Sequence, residues 1–409
     1  MNDFLNPARM RAWCIIMAAG MGLWAALAIG QAVLGLGDAG SGLGLDFTCF
    51  RAAGVLAAKG MAAAVYQPDA MSAAQHAQRT LPQGQFFPFL YPPTYLLLCV
   101  PLTWLPYWPS MVLFLLAGLV PLLLALRLLE PPAFGWLPIL AFPGILLTAG
   151  SGQNGFFTAA CFAGFMLLAD PRPLLAGACL GLLACKPHFA ILAPLVLLVA
   201  GRRRCLAGAA ATFAIMAGAS LLAFGPGEWT AFLAAAGDTT RTITGGMTNQ
   251  AKINSTFIAV RMLGSSLALA AIVQGIVSAI VLVALLRFVR RRPGGAAEGA
   301  ALAAAALLAT PYLADYDLAC LAPPLAFAAA RGVRQGWGRW DKILLLTAYL
   351  LPLFARGVAA RTDVQVAPLV MAGLLFVIVR RGEGSSSFLQ KRTKKLLPLR
   401  SPASANAPV

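Results

Sequence analysis

Asp46 sits in Gly-Leu-Asp-Phe, just after the first long apolar run of the chain, residues 13 to 34. A carboxylate at that membrane boundary is partly desolvated, which lets its pKa be set for taking a proton from a hydroxyl. Asp also serves as a helix N-cap, so the Ala-rich stretch that follows offers a purely structural use for it. Lys186 is the sharpest single residue. It lies in GACLGLLACKPHF, an apolar run with no other charge, beside Pro187 and His188. A lysine in a membrane segment costs roughly 2.5–3.5 kcal/mol, so its presence points to a function. Its compact ammonium suits a phosphate or a carboxylate; the alternative is snorkelling to the nearer interface.

Other polar groups interrupt apolar sequence. Gly152-Gln153-Asn154 breaks the stretch between 133 and 169, and its two amides suit sugar hydroxyls or a loop's own backbone. Thr310-Pro311-Tyr312 and Asp315-Tyr316-Asp317 place two carboxylates and two phenols at the outer end of a hairpin, where Asp also starts helices. Phe86 to Pro93, with Tyr91 near its end, reads as an aromatic surface for lipid or sugar, or as ordinary interfacial aromatics. Arg241, Thr248, Asn249, Gln250, Lys252 and Asn254 share one polar segment, as head-group contacts or as a solvated loop.

What is missing narrows the chemistry. The chain has no P-loop, GxSxG or HExxH, and its two histidines are His76 and His188. Its eight cysteines form no CxxC pair and no Cys/His ligand spacing, so neither disulfides nor structural zinc are expected. A divalent ion beside Asp46 has no ligand cluster to hold it; no metal site and no cofactor are expected.

The elements that must position these groups follow from composition. Of 409 residues, 60% are apolar and 11% charged, with a mean hydropathy of +0.78. Soluble domains carry roughly 45–50% apolar and about 25% charged residues, so a soluble enzyme and a disordered chain are both excluded. Repeated runs near the roughly 20 residues that span a bilayer make this an all-α polytopic membrane protein. The first run exceeds the roughly 7–15 residues of a signal-peptide core and reads as a retained signal anchor.

The net charge of +17 would suggest nucleic acid in a soluble protein. Here the bases sort by side. Arg202–Arg204, Arg287 with Arg290–Arg292, Arg331 to Lys342, and Arg380 onward occupy every second connection, as the positive-inside rule requires. The intervening outer segments hold as many acids as bases. Topology therefore accounts for the charge, and no nucleic-acid partner is expected. The chain is expected in the cell's inner (plasma) membrane with both termini cytoplasmic. Between Tyr91 and Arg202, six runs compete for an odd number of crossings, so one pair is fused or broken. Either 92–129 bends at Pro101, Pro106 and Pro109, or 174–200 breaks at Lys186-Pro187; both give about 12 crossings.

Residues 1–380 form one transmembrane domain with two large outer segments, 35–91 and 225–262, and 381–409 read as a disordered basic tail on anionic inner-leaflet lipids. The first outer segment is far longer than the usual 2–8 residues between helices. It opens with the flexible turn GLGDAGSGLGLD, and its Ala-rich part from Phe50 to Val65 predicts short surface helices anchored by Phe50, Val55, Leu56 and Met61. No internal repeat is visible, which argues against inverted-repeat transporters.

With these stretches in place, the chain resembles the C-type, polyprenyl-phosphate-dependent membrane glycosyltransferases, and most closely glycosyltransferase family 87, the mannosyltransferase-like group. The resemblance rests on Asp46-Phe47 with the following helix to Gly60 and Tyr66, Tyr91-Pro92-Pro93, Pro101 with Leu105-Pro106, and Gly152-Gln153-Asn154. Ala176-Gly177 through Gly181 to Lys186-Pro187, the Arg202–Arg204 run, Asn249 and Asn254-Ser255 complete it. It implies the C-type architecture, a lipid-linked sugar donor and inverting transfer at the outer face. Asp46 is then the general base on an acceptor hydroxyl. Lys186, helped by Arg241 or Lys252, would stabilise the departing phosphate, and His188, Gln153, Asn154, Tyr91, Asn249, Tyr312, Asp315 and Asp317 would line the donor site. Where family members carry a Trp/His stretch after the Thr310-Pro311 position, this chain reads Tyr312-Leu-Ala-Asp315-Tyr316-Asp317, which removes a histidine role there.

The expected function is transfer of a hexose, mannose foremost, from a polyprenyl phosphate to a lipid or glycan acceptor. The competing reading is a flippase or carrier for a lipid-linked sugar, with Lys186 as its head-group site. A flippase has no use for a general base at the edge of a long outer segment.

Overall fold

The computed structural model describes residues 6–34, 43–81, 86–129, 135–244 and 249–382, with the side chains of 32–34 and 238–244 excepted. Among these residues the fold is all helical, with no strand and a single isolated antiparallel bridge between Ile253 and Ala314. Among the described residues five helices are long and apolar enough to cross a membrane: Pro7–Gln31, Tyr107–Leu129, Arg203–Phe224, Leu267–Arg290 and Asp341–Thr362. Their large apolar side chains point outward, as at Leu222, which is 90% exposed; only a hydrocarbon surround makes that favourable. Of the shorter apolar helices, Gly155–Leu168 and Gly295–Ala309 are mostly buried, whereas Pro93–Thr103, Pro173–Cys185 and Pro187–Val199 also expose apolar side chains such as Leu98, Leu174 and Ile191.

Gly295–Ala309 is the centre of the packing. It is almost entirely alanine, glycine and leucine, and every residue but the last is buried. Small side chains let it lie close to Gly155–Leu168, Leu267–Arg290 and Ala367–Arg381 at once. The tightest pair is Pro173–Leu182 against Arg203–Phe224. A Cβ at Gly177 would fall inside the Cys205 carbonyl, so only glycine allows that approach.

Both places where the sequence suggests a bend between 92 and 200 are breaks in the helices. Pro93–Cys99 and the 3-10 turn Val100–Thr103 end before Tyr107–Leu129 begins. Leu183–Cys185 leads into Lys186, from which the short helices Pro187–Ala190 and Ala193–Val199 continue.

The first outer segment differs from expectation. Its helix covers Phe47–Ala58, followed by the 3-10 turn Ala62–Tyr66 and helix Pro68–His76. Phe50 and Leu56 are buried within the protein rather than in lipid; Phe50 packs on Tyr91, Tyr95 and Phe114. An apolar face announces that something covers it and does not say whether lipid or protein does. Met61 does stand exposed. The glycine-rich turn at 35–42 and the tail from 383 lie outside the described residues.

Candidate functional site

The site is built where the first outer segment meets the break at Gly152. Helix Pro143–Ser151 ends at Gly152, whose φ of 71° is a left-handed C-cap that glycine adopts without strain. The chain turns there and starts Gly155–Leu168 at Asn154. Backbone bonds from Gly44 N–H to the Gly150 carbonyl (2.7 Å) and from Asp46 N–H to the Ser151 carbonyl (3.1 Å) fasten the Asp46 loop to this turn. The Tyr107 hydroxyl adds a bond to the Gly44 carbonyl at 2.8 Å.

Asp46 precedes helix Phe47–Ala58, yet its side chain makes no capping bond. Instead its Oδ2 accepts from Gln153 Nε2 at 3.4 Å. Gln153 Oε1 in turn accepts from the Tyr91 hydroxyl (3.3 Å) and from Asn154 N–H (3.2 Å). Asn154 Nδ2 donates to the Tyr95 hydroxyl at 3.0 Å, and Tyr91 stacks on Tyr95 with centroids 4.5 Å apart. The buried Asn154 Oδ1 has no protein partner. One continuous polar wall thus runs from the carboxylate through two amides to two phenols.

Burial pushes the Asp46 carboxyl up to about 6 against the pull of Lys252 and the Gln153 bond; Asp315 adds to the rise and Arg356 opposes it. A base of that strength is mostly ionised at neutral pH and still able to hold a proton. Lys252 closes the 3-10 turn Gln250–Lys252, and the Ile253–Ala314 bridge sets that turn beside Asp315. Asp315 pairs with Arg356 at 3.6 Å, the arginine reaching in from helix Asp341–Thr362.

Lys186 is brought near this wall and is already paired there. Its Nζ forms a buried ion pair with Asp317 Oδ1 and lies 6.0 Å from the Tyr91 ring centroid, 5.6 Å from that of Phe189 and 5.1 Å from that of Tyr316. His188 packs on Phe189, and its Nε2 is buried without a partner. Asn249 is exposed and caps its own turn, accepting from Ala251 N–H at 3.0 Å. Tyr312 meets the edge of Phe257, which clusters with Ile253 and Ile258. The Arg241 side chain and Thr248 lie outside the described residues. Among the described residues no group of three His, Cys, Asp or Glu gathers as a metal site would. The sequence does not single out Tyr95, and it offers Arg356 only as one of the bases of the outer segments. Tyr95 is four residues beyond Tyr91, in the first turn of helix Pro93–Cys99, and Arg356 is a base that ends an apolar run, a signal close to the one that singles out Lys186.

The sequence model of glycosyltransferase family 87 matches residues 89–311, more than half of the chain. The chain belongs to that family. It is therefore a membrane glycosyltransferase, with a sugar donor and an acceptor as its partners. No curated protein and no solved structure matches it. The matched stretch holds Tyr91, Gln153, Asn154, Lys186 and Lys252, whereas Asp46, Asp315, Asp317 and Arg356 lie beyond its ends.

Proposed function

We propose that this glycosyltransferase moves a hexose, mannose foremost, from a polyprenyl-phosphate donor to a hydroxyl of a lipid or glycan acceptor. Transfer takes place at the outer face of the plasma membrane, with about 12 crossings and both termini in the cytoplasm. The observation that carries this reading is the half-buried Asp46 carboxylate, raised to about 6 and held by Gln153 at one end of the polar wall.

Asp46 takes the proton of the acceptor hydroxyl as that oxygen attacks the anomeric carbon from the face opposite the phosphate. The bond from that carbon to the phosphate oxygen breaks, and its electron pair leaves with the polyprenyl phosphate. The new linkage is inverted, and Asp46 returns its proton to water. Gln153, Asn154 and the Tyr91 hydroxyl offer donors and acceptors for sugar hydroxyls. Lys186, already paired with Asp317, fixes the Asp315–Asp317 turn against Tyr91 instead of meeting the donor.

The test is transfer from a radiolabelled polyprenyl-phosphate hexose by purified protein, wild type against Asp46→Asn. A positioned base contributes roughly 10²–10⁴-fold, so the variant should lose that much. Full activity in Asp46→Asn would remove the base assignment. No transfer from any such donor, together with lipid translocation, would favour a carrier.

A further inference from the structure

The mouth of the site holds two cations that no carboxylate claims fully. Lys252 is half-buried and its ammonium makes no hydrogen bond or ion pair among the described residues; Asp46 and Asp315 are the carboxylates that feel its charge. Arg356 has one partner, Asp315, at 3.6 Å through a single guanidinium nitrogen, and its side chain is 50% exposed. A guanidinium carries five N–H donors in a fork that matches phosphate oxygens, so most of its donors remain open. The Ile253–Ala314 bridge sets Lys252 beside Asp315, the same carboxylate that Arg356 reaches at 3.6 Å, so the two cations flank one residue. Lys186 has no such freedom, being buried, paired with Asp317 and walled by three aromatic rings.

We propose that Arg356 and Lys252 together form the site of the donor's phosphate, and that Asp315 is the positioning residue that aims Arg356 into it. This rests on the polyprenyl-phosphate reading above. The charge arithmetic explains why two cations are useful. The donor's phosphodiester carries one negative charge and the departing polyprenyl monophosphate approaches two, while Asp46 goes from one negative charge to none. Negative charge thus moves from the base to the phosphate, and two cations seated against the phosphate gain more from its second charge than they lose at the more distant base. Stabilisation that grows along the reaction lowers the barrier, whereas equal binding throughout would not. Asp315 keeps the apo site from holding two uncompensated cations, and its own buried oxygen is fixed by the Tyr316 N–H at 2.9 Å.

The experiment uses the full-length protein in detergent, with polyprenyl monophosphate and the uncharged polyprenol as binding probes and the labelled donor for turnover. The wild type should prefer the monophosphate to the alcohol. Arg356→Ala should lose roughly 10- to 100-fold of that preference, the range of one to two charged hydrogen bonds. Its donor KM should rise, while the pH at which residual activity is half-lost should move by far less than in a Gln153 variant. Arg356→Lys should restore part of the preference, which a purely structural arginine would not do. An Arg356→Ala protein that melts like wild type and keeps the full preference overturns the clamp, even if Asp46→Asn is inactive. A wild type that neither distinguishes the two probes nor transfers from the labelled donor overturns the donor reading itself, and the clamp with it.

Discussion

Gln153 donates from its amide to the Asp46 carboxylate while its carbonyl accepts from Tyr91. That orientation of the amide is fixed by its second partner, Asn154 N–H, so the donor end faces the carboxylate. The hydrogen bond favours the ionised form and opposes the burial that raises it. Replacing Gln153 by Met removes the donor at similar volume. The Asp46 pKa should then rise by about one unit, the worth of a charged hydrogen bond. The measurement is the acidic limb of kcat/KM against pH, which should sit higher in the variant; an unmoved limb would mean that the amide does not bear on the base.

The wild-type limb itself is a separate expectation. Asp46 works as a base only when ionised, and its carboxyl is pushed up to about 6 by burial. Activity should be on a plateau at pH 7 and above. It should be halved near pH 6 and fall about tenfold for each further unit of acid. An exposed aspartate would keep full activity down to about pH 5.

Which parts of this were legible in the sequence depended on what covers each residue. Asp46, Gln153, Asn154 and Lys186 stood out because a polar group in an apolar run has few innocent uses, and the structure gathers all four into or beside one wall. The pairing of Lys186 is not legible because its neutralising partner Asp317 is 131 positions away. Amphipathic spacing makes Phe50 a candidate lipid anchor but does not name the covering phase, and here Tyr91 and Tyr95 cover it. Arg356 was counted with the outer bases. Only the packing of its helix beside the Asp315 turn gives it a place.

Lys186 and Asp317 make a further test possible. Both are buried, so removing one leaves an uncompensated charge, which costs about 3–5 kcal/mol. Lys186→Met and Asp317→Leu should each lower the melting temperature in detergent. The double variant should recover most of the loss, because a buried pair is often replaceable by apolar residues at little net cost. If Lys186 instead served the donor, the double variant would be as stable as wild type yet unable to bind polyprenyl monophosphate.

Gly152 links the turn to the base. Its φ of 71° strains any other side chain, and a Cβ there would sit 2.8 Å from the Phe47 Cβ. Gly152→Ala should cost about 1–2 kcal/mol from the backbone alone and more from the contact. The displaced neighbour is Phe47, adjacent to Asp46, so activity should fall more steeply than stability. Comparing turnover at 20 °C with the melting temperature separates the two; losses in proportion would mean that the turn does not position the base.

Glu228 carries the last expectation, in the first turn of helix Pro226–Thr244 within the second outer segment. It is 1% exposed, neither carboxylate oxygen has a hydrogen-bond partner, and burial pushes its carboxyl up to about 7 from the ordinary 4.5. A carboxyl held higher in the folded chain than in the unfolded one favours folding while protonated. It withdraws that advantage as pH rises between the two values. Asp46 acts in the same direction, so the wild type alone does not isolate Glu228. Glu228→Gln keeps the shape, removes the charge and should be more stable than wild type above pH 7, by about 1–3 kcal/mol for an unsatisfied buried group. Near pH 4 the two proteins should melt together. Melting temperatures taken across pH 4–8 for both proteins give the answer, and parallel curves would mean that the ionised carboxylate finds a partner.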